Sequence, residues 1–216
     1  MPADTPSRWG ADAFAAIDLG SNSFRLEIAR LRAGDYKNLE YWKEPIRLGA
    51  GLDAEQNLSE AAMTRALDCL RRFGAELQGF PARRVRAVAT QTLREARNRD
   101  AFLLRAQQAL GHPVEVIAGR EEARLIYTGV SRLQPSKATQ LVIDIGGRST
   151  ELILGRQGQP LRAESFAVGS VGLSVRFFPR GELTAEAFRQ AQVAAAAELE
   201  EALALFARDR CEPAWS

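Results

Sequence analysis

Leu141 to Leu154 reads LVIDIGGRSTELIL: an apolar run, Asp144, the pair Gly146 and Gly147, Arg148, the hydroxyls Ser149 and Thr150, Glu151, and a second apolar run. Short runs of β-branched and leucine side chains around glycines spell two buried strands joined by a tight hairpin. The polar residues therefore sit at a strand-turn-strand tip. Glycine there lets the main chain approach an anion closely and offer it amide N–H groups. Asp144 before the turn and Glu151 after it suit a hard cation such as Mg²⁺, held directly or through water. The stretch points to phosphate groups accompanied by a metal ion.

The pattern occurs once more, from Ala15 to Ile28: AAIDLGSNSFRLEI, with Asp18, then Gly20, Ser21, Asn22 and Ser23, then a period-2 strand through Phe24, Leu26 and Ile28. A lone Asp-x-Gly is more often a structural turn than a site. Two hairpins of the form Ile-Asp-(Leu/Ile)-Gly, far apart in the chain, imply two related lobes facing one cleft.

Composition bounds the rest. A chain of 216 residues, 46% of them hydrophobic, suits one large or two small domains with a real core. No apolar stretch approaches the ~20 residues of a membrane span, and the N-terminus MPADTPSRWG lacks a signal-peptide core, so a soluble cytoplasmic protein without a membrane partner is expected. The formal charge is +2, and lysine occurs only at positions 37, 43 and 137. No basic cluster interleaved with aromatics is present, so nucleic-acid binding is not expected. Cys69 and Cys211 lack metal spacing, and Cys69 falls on a helical stripe as a buried thiol. The single histidine, His112, reads as a loop residue between a helix and a strand.

Residues 1–11 read as a disordered tail. Strands are predicted at 13–18, 23–32 and 39–48, then a flexible loop at 49–52. A helix starts at Ser59 as N-cap, with Glu60 in its first turn, and stops near Gly79 to Pro81. Strand 85–89 feeds Thr90 to Arg94, where ligands of open α/β sheets bind beyond the strand ends, so Arg94 is a candidate phosphate clamp. A helix to Leu110, a strand at 114–117 and a helix from Gly119 follow. Leu133 to Lys137 reads as the domain boundary. Beyond it come strands 140–145, 150–155 and 162–167, a glycine loop at 168–172 suited to phosphate, and an alanine-rich helix from the N-cap Thr184 to about Arg208.

Five blocks carry a family resemblance: AAIDLGSNSFRLEIA (15–29), AVATQTLREARN (87–98), VIAGREEARLIYTGV (116–130), DIGGRSTEL (144–152) and SFAVGSVGLSVRFFPRG (165–181). In order and spacing they resemble the exopolyphosphatase / guanosine pentaphosphate phosphohydrolase (Ppx/GppA) family, within the actin, sugar-kinase and heat-shock-chaperone superfold. The resemblance implies an α/β, actin-like (ribonuclease H-like) two-lobed fold. Family members run well beyond this length, which implies a complete first lobe at 12–133 and a truncated second lobe at 134–216. Exposed apolar surface on the second lobe, and with it a homodimer or other self-association, is then expected.

The implied activity is Mg²⁺-dependent release of the terminal phosphate from inorganic polyphosphate, guanosine pentaphosphate, or both. By resemblance, Gly20, Ser21, Asn22, Ser23, Gly146, Gly147, Arg148 and Ser149 bind phosphate, Asp144 and Glu151 place the metal or its waters, and Arg94 neutralises charge. Glu121 matches the glutamate that orients or deprotonates the attacking water, with Glu122 as its rival by spacing. Arg148 stands where the family usually has a third glycine; if the position needs positive φ, arginine costs on the order of 1 kcal/mol there. Two other readings are a sugar-kinase-type phosphotransferase, which needs a nucleotide-base pocket in the second lobe, and a non-catalytic phosphate-ligand sensor or assembly module.

Overall fold

The computed structural model describes residues 8–32 and 35–206. The chain forms two compact units that divide between Val116 and Ile117.

The first unit opens with a meander of β1 (Ala13–Leu19), β2 (Ser23–Arg32) and β3 (Asp35–Pro45), followed by α1 (Glu60–Glu76), β4 (Val85–Ala89), α2 (Gln91–Glu95), α3 (Arg99–Leu110) and β5 (Val114–Val116). The sheet order is β3-β2-β1-β4-β5, with β4 parallel to β1. Period-2 alternation buries Ala13, Ala15, Ile17 and Leu19 of β1. These join Ala62, Ala66, Leu70 and Phe73 of α1 and Phe102 and Ala106 of α3 in one core. Each fully buried leucine or phenylalanine contributes roughly 1.5–3 kcal/mol, so this face holds the unit together. Ser59 caps α1 by accepting from the Ala62 amide, as its position before an acidic first turn predicts. Cys69 is fully buried, and desolvation pushes its thiol up to about 12. Burial also holds His112 below its ordinary value, in keeping with a structural role for it.

Three local expectations change. Trp9 is not part of a loose tail: its indole N–H donates to the Glu76 carbonyl at 3.2 Å and its ring meets Trp42 edge-on, centroids 6.0 Å apart. A large aromatic beside an open core edge docks, whatever the polarity around it; residues 1–7 of the predicted tail lie outside the described residues. The stretch predicted as a flexible loop at 49–52 is largely a 3₁₀ turn, Leu48–Gly51, with Leu48 and Gly49 buried. The single helix predicted up to Leu110 is two, because Ala96 takes an extended conformation between α2 and α3.

The second unit contains α4 (Gly119–Leu133), β6 (Thr139–Ile145), β7 (Thr150–Arg156), β8 (Gln159–Phe166), α5 (Ser170–Phe177), α6 (Ala185–Glu198) and α7 (Glu200–Phe206). Its antiparallel sheet has the order β6-β7-β8. Helix α4, assigned by sequence to the first lobe, packs here: Ala123 and Tyr127 cluster with Ile153. The alanine-rich helix breaks at Leu199 into α6 and α7, with Thr184 capping α6 as expected; residues 207–208 of its predicted span lie outside the described residues. No described helix is long and apolar enough to cross a membrane.

Two features of this unit have measurable consequences. The fully buried Tyr127 lies so close to β7 that a Cβ on Gly155 would stand 2.1 Å from its Cζ. The Tyr127 hydroxyl is buried and finds no hydrogen-bond partner among the described residues. Tyr127→Phe therefore removes an unsatisfied polar group and is expected to raise unfolding stability by about 1 kcal/mol in urea titration; a loss of stability would show that the hydroxyl is satisfied. On β6, Ile143 is 55% exposed, whereas Ile17, its counterpart on β1, is 1% exposed. Ile17 lies on the face of its sheet that α1 and α3 cover, whereas Ile143 joins no core cluster among the described residues.

Candidate active site

Both glycine hairpins form, with identical register. Asp18 faces Arg25 and Leu19 faces Phe24 around residues 20–23; Asp144 faces Glu151 and Ile145 faces Thr150 around residues 146–149. A Cβ on Gly20 would lie 2.9 Å from the Ser23 carbonyl, and one on Gly146 2.9 Å from that of Ser149. Glycine is thus required for close approach of the chain to itself. It is not required for φ: neither glycine, nor Arg148, lies in the left-handed region. The condition under which Arg148 would be strained, a positive φ, is therefore not met, and the position accepts a side chain.

A following helical turn orients each hairpin. In the first unit the Gly49 amide donates to the Ser21 carbonyl at 2.8 Å and the Arg47 amide to that of Asn22 at 2.7 Å. In the second, the Ser170 amide donates to Gly146 at 3.0 Å, and the Val171 and Gly172 amides to Gly147 at 2.7 and 3.0 Å. The peptides are trans, so the N–H of each following residue points the opposite way. The amides of Asn22 and Ser23, and of Gly147 and Arg148, are thereby turned to the far side of each loop, as an anion cradle needs. The expectation that the loop 168–172 itself faces phosphate is corrected: its leading amides serve the hairpin carbonyls.

In the first unit, the ends of β1 and β4 lie side by side, Leu19 opposite Ala89, so α2 starts next to the hairpin. The Thr92 hydroxyl donates to that of Ser21 at 2.8 Å in a buried contact. Arg94 stands on the same short helix, its guanidinium held by the Gln91 side-chain carbonyl at 2.9 and 2.6 Å. Asp18 is paired with Arg25 at 3.1 Å.

In the second unit the corresponding pair is two carboxylates. Asp144 is exposed and Glu151 is 1% exposed. The Ser165 hydroxyl donates to Glu151 Oε1 at 2.8 Å. Among the described residues no group of three or more His, Cys, Asp or Glu converges on a metal position. Two facing carboxylates still fit Mg²⁺, which keeps several waters and takes one or two carboxylates together with phosphate oxygens. Helix α4 runs along this sheet from Arg120, bonded to Glu164 at 3.0 and 2.8 Å, to Tyr127 against Gly155. Glu164 faces Leu152, so the first turn of α4 lies at the hairpin end of the sheet. Glu121 stands in that turn, bridged by Arg124 at 2.7 and 2.8 Å. A carboxylate gripped this way is oriented by two parallel hydrogen bonds.

Sequence reasoning passed over Thr92, Arg124 and Ser165. All three lie in or beside the quoted motif blocks, but their roles depend on partners 71, 3 and 14 residues away.

Two three-stranded meanders, each turning on a glycine hairpin pinned by a following helical turn, define a mixed α/β protein of actin-like fold. The chain belongs to the Ppx/GppA phosphatase family, whose sequence pattern matches residues 27–210. It is 44% identical over 187 residues to a putative exopolyphosphatase of Haemophilus influenzae, covering 87% of this chain and 58% of that protein. It is 46% identical over 202 residues to a guanosine-5'-triphosphate,3'-diphosphate pyrophosphatase of Aeromonas salmonicida, covering 94% of this chain and 40% of the relative. The crystal structure of an exopolyphosphatase-like protein superimposes with a TM-score of 0.82 at 32% identity, over 88% of this chain and 61% of that one. The chain thus spans about half the length of these relatives.

Proposed function

We propose that the protein is a Mg²⁺-dependent phosphohydrolase that releases the terminal phosphate of inorganic polyphosphate or of a guanosine pentaphosphate. The observation that carries this reading is the carboxylate pair Asp144 and Glu151 flanking a hairpin whose carbonyls are tied back by α5. The names of the two relatives support the substrate class.

Phosphoryl transfer needs positioning and charge compensation more than covalent help. In the second unit the amides of Gly147 and Arg148, with Ser149, receive phosphate oxygens; within the first unit the hairpin at Gly20, Ser21, Asn22 and Ser23 presents the same kinds of donor. Arg94 offsets anionic charge. Asp144 and Glu151 would hold Mg²⁺, which when bound neutralises phosphate oxygens. Glu121, held by Arg124, accepts a hydrogen bond from the attacking water and aligns it.

The test is phosphate release from long-chain polyphosphate, with Mg²⁺ and with excess EDTA. Release that requires the metal is expected. Tight polyphosphate binding with no release under either condition would instead identify a binding module.

The exposed Leu141, Ile143 and Ile145 of β6 support self-association. Sedimentation velocity is expected to show a concentration-dependent coefficient, and a monomer coefficient that stays flat from high concentration through dilution would refute it.

A further inference from the structure

We propose that Thr92 is a positioning residue for phosphate binding in the first unit: its hydroxyl holds that of Ser21 so that the Ser21 proton is left for a phosphate oxygen. The inference rests on the reading of the hairpin at residues 20–23 as a phosphate cradle.

Thr92 is 1% exposed and Ser21 5%. Thr92 Oγ1 donates to Ser21 Oγ at 2.8 Å, and neither hydroxyl meets another partner among the described residues. Two hydroxyls bring two protons, and only one of them lies between the two oxygens. The other, on Ser21, is left without an acceptor in a buried place, where an unpaired polar group is costly. The loop that carries it turns the Asn22 and Ser23 amides to its far side, so an anion received there supplies the missing acceptor. By accepting from Thr92, Ser21 also becomes the stronger donor, because linked hydrogen bonds polarise one another.

The fold gives Thr92 a set place. Strands β1 and β4 are parallel neighbours with Leu19 opposite Ala89, which brings the start of α2 beside the hairpin. Leu93 is fully buried, and the Leu93 and Arg94 amides both donate to the Thr90 carbonyl, at 3.0 and 3.2 Å. The branched Cβ of threonine restricts its χ1 in turn. The second hairpin has no counterpart to this pair, because its register puts Gly147 where the first has Ser21. A side-chain donor at that position belongs to the first hairpin alone, and so does the residue that aims it.

The probe is long-chain polyphosphate, with affinity measured by titration calorimetry and folding checked by circular dichroism. Ser21→Ala is expected to weaken binding about tenfold, as loss of one hydrogen bond to a charged group does. Thr92→Val, which keeps the shape and removes the hydroxyl, is expected to weaken it about fivefold, and Thr92→Ala takes its place if the valine variant does not fold. Thr92→Ser, which keeps the hydroxyl, retains wild-type affinity. The deciding protein is the double variant: because Thr92 acts through Ser21, adding Thr92→Val to Ser21→Ala costs nothing further. A loss that adds to that of Ser21→Ala, or wild-type affinity in a folded Thr92→Val protein, overturns the inference and leaves the phosphate reading of the hairpin standing. Wild-type affinity in Ser21→Ala, or no binding by the wild-type protein, would remove the reading of the hairpin itself, and the role of Thr92 with it.

Discussion

Glu121→Gln is expected to lower Mg²⁺-dependent phosphate release by about 10²–10⁴-fold, the range for loss of a positioned acid–base group. The side chain is 32% exposed and lies in the first turn of α4, so its amide isostere costs the fold little. What changes is charge and symmetry. The carboxylate accepts two parallel N–H groups from Arg124, and an amide presents an NH₂ where one oxygen was, so the bridge is broken on one side. In the proposed mechanism the attacking water would then meet a neutral, rotatable group in place of an oriented anion. Polyphosphate affinity should be nearly unchanged, because the hairpin amides are untouched. Glu122→Gln is the control, and little loss is expected from it. A large loss from Glu122→Gln with full activity in Glu121→Gln would reverse the two roles.

Gly169→Ala is expected to destabilise the protein by about 2–3 kcal/mol through overpacking, and to reduce turnover on the order of 10²-fold through displacement of the hairpin. The effect is purely steric. Gly169 has φ −161°, an extended conformation open to any residue. Its added Cβ would lie 2.5 Å from the Arg148 nitrogen and the Gly147 carbonyl carbon, both backbone atoms that no side-chain rotation can move aside. The start of α5 must retreat, and the bonds from Ser170, Val171 and Gly172 to the hairpin lengthen with it. Gly172→Ala is the matched control: a Cβ there meets nothing within 4 Å, and alanine is the better helix former. Urea unfolding and phosphate release measured on both variants decide the matter. Equal behaviour of the two would mean that α5 does not orient the hairpin.

The parts of this molecule legible in the sequence are those written locally. Both hairpins were readable because a strand, an Asp-x-Gly and another strand lie within fourteen residues. The caps Ser59 and Thr184 were readable because capping needs only three residues. The rest depends on distant contacts. That α4 belongs with the second sheet follows from Tyr127 fitting over Gly155, a match of aromatic and glycine across 28 positions that no period reveals. The proline-bearing loop after α4 advertised a boundary, yet helix packing drew the division ahead of it. The glycines at 169 and 172 looked like an anion loop; only the structure shows their segment committing its amides to carbonyls 24 and 25 residues earlier. Arg148 looked strained because it replaces a glycine, but the need at that loop falls on Gly146, where the chain nearly touches itself.

Among the described residues β6 pairs with β7 alone, which bears on the entropy of the proposed cation site. Asp18 rides on a strand clamped from both sides, and its backbone has little freedom left to lose. Among the described residues Asp144 rides on a strand paired on one side only, so if it holds the proposed ion, ordering its carboxylate would draw on binding energy that a rigid strand would leave intact. Whatever hydrogen-bonds along the open side of β6 would therefore tighten binding at the proposed site from a distance, by stiffening the strand and without touching the ion. Affinity for the cation and occupancy of that edge are two readings of one equilibrium.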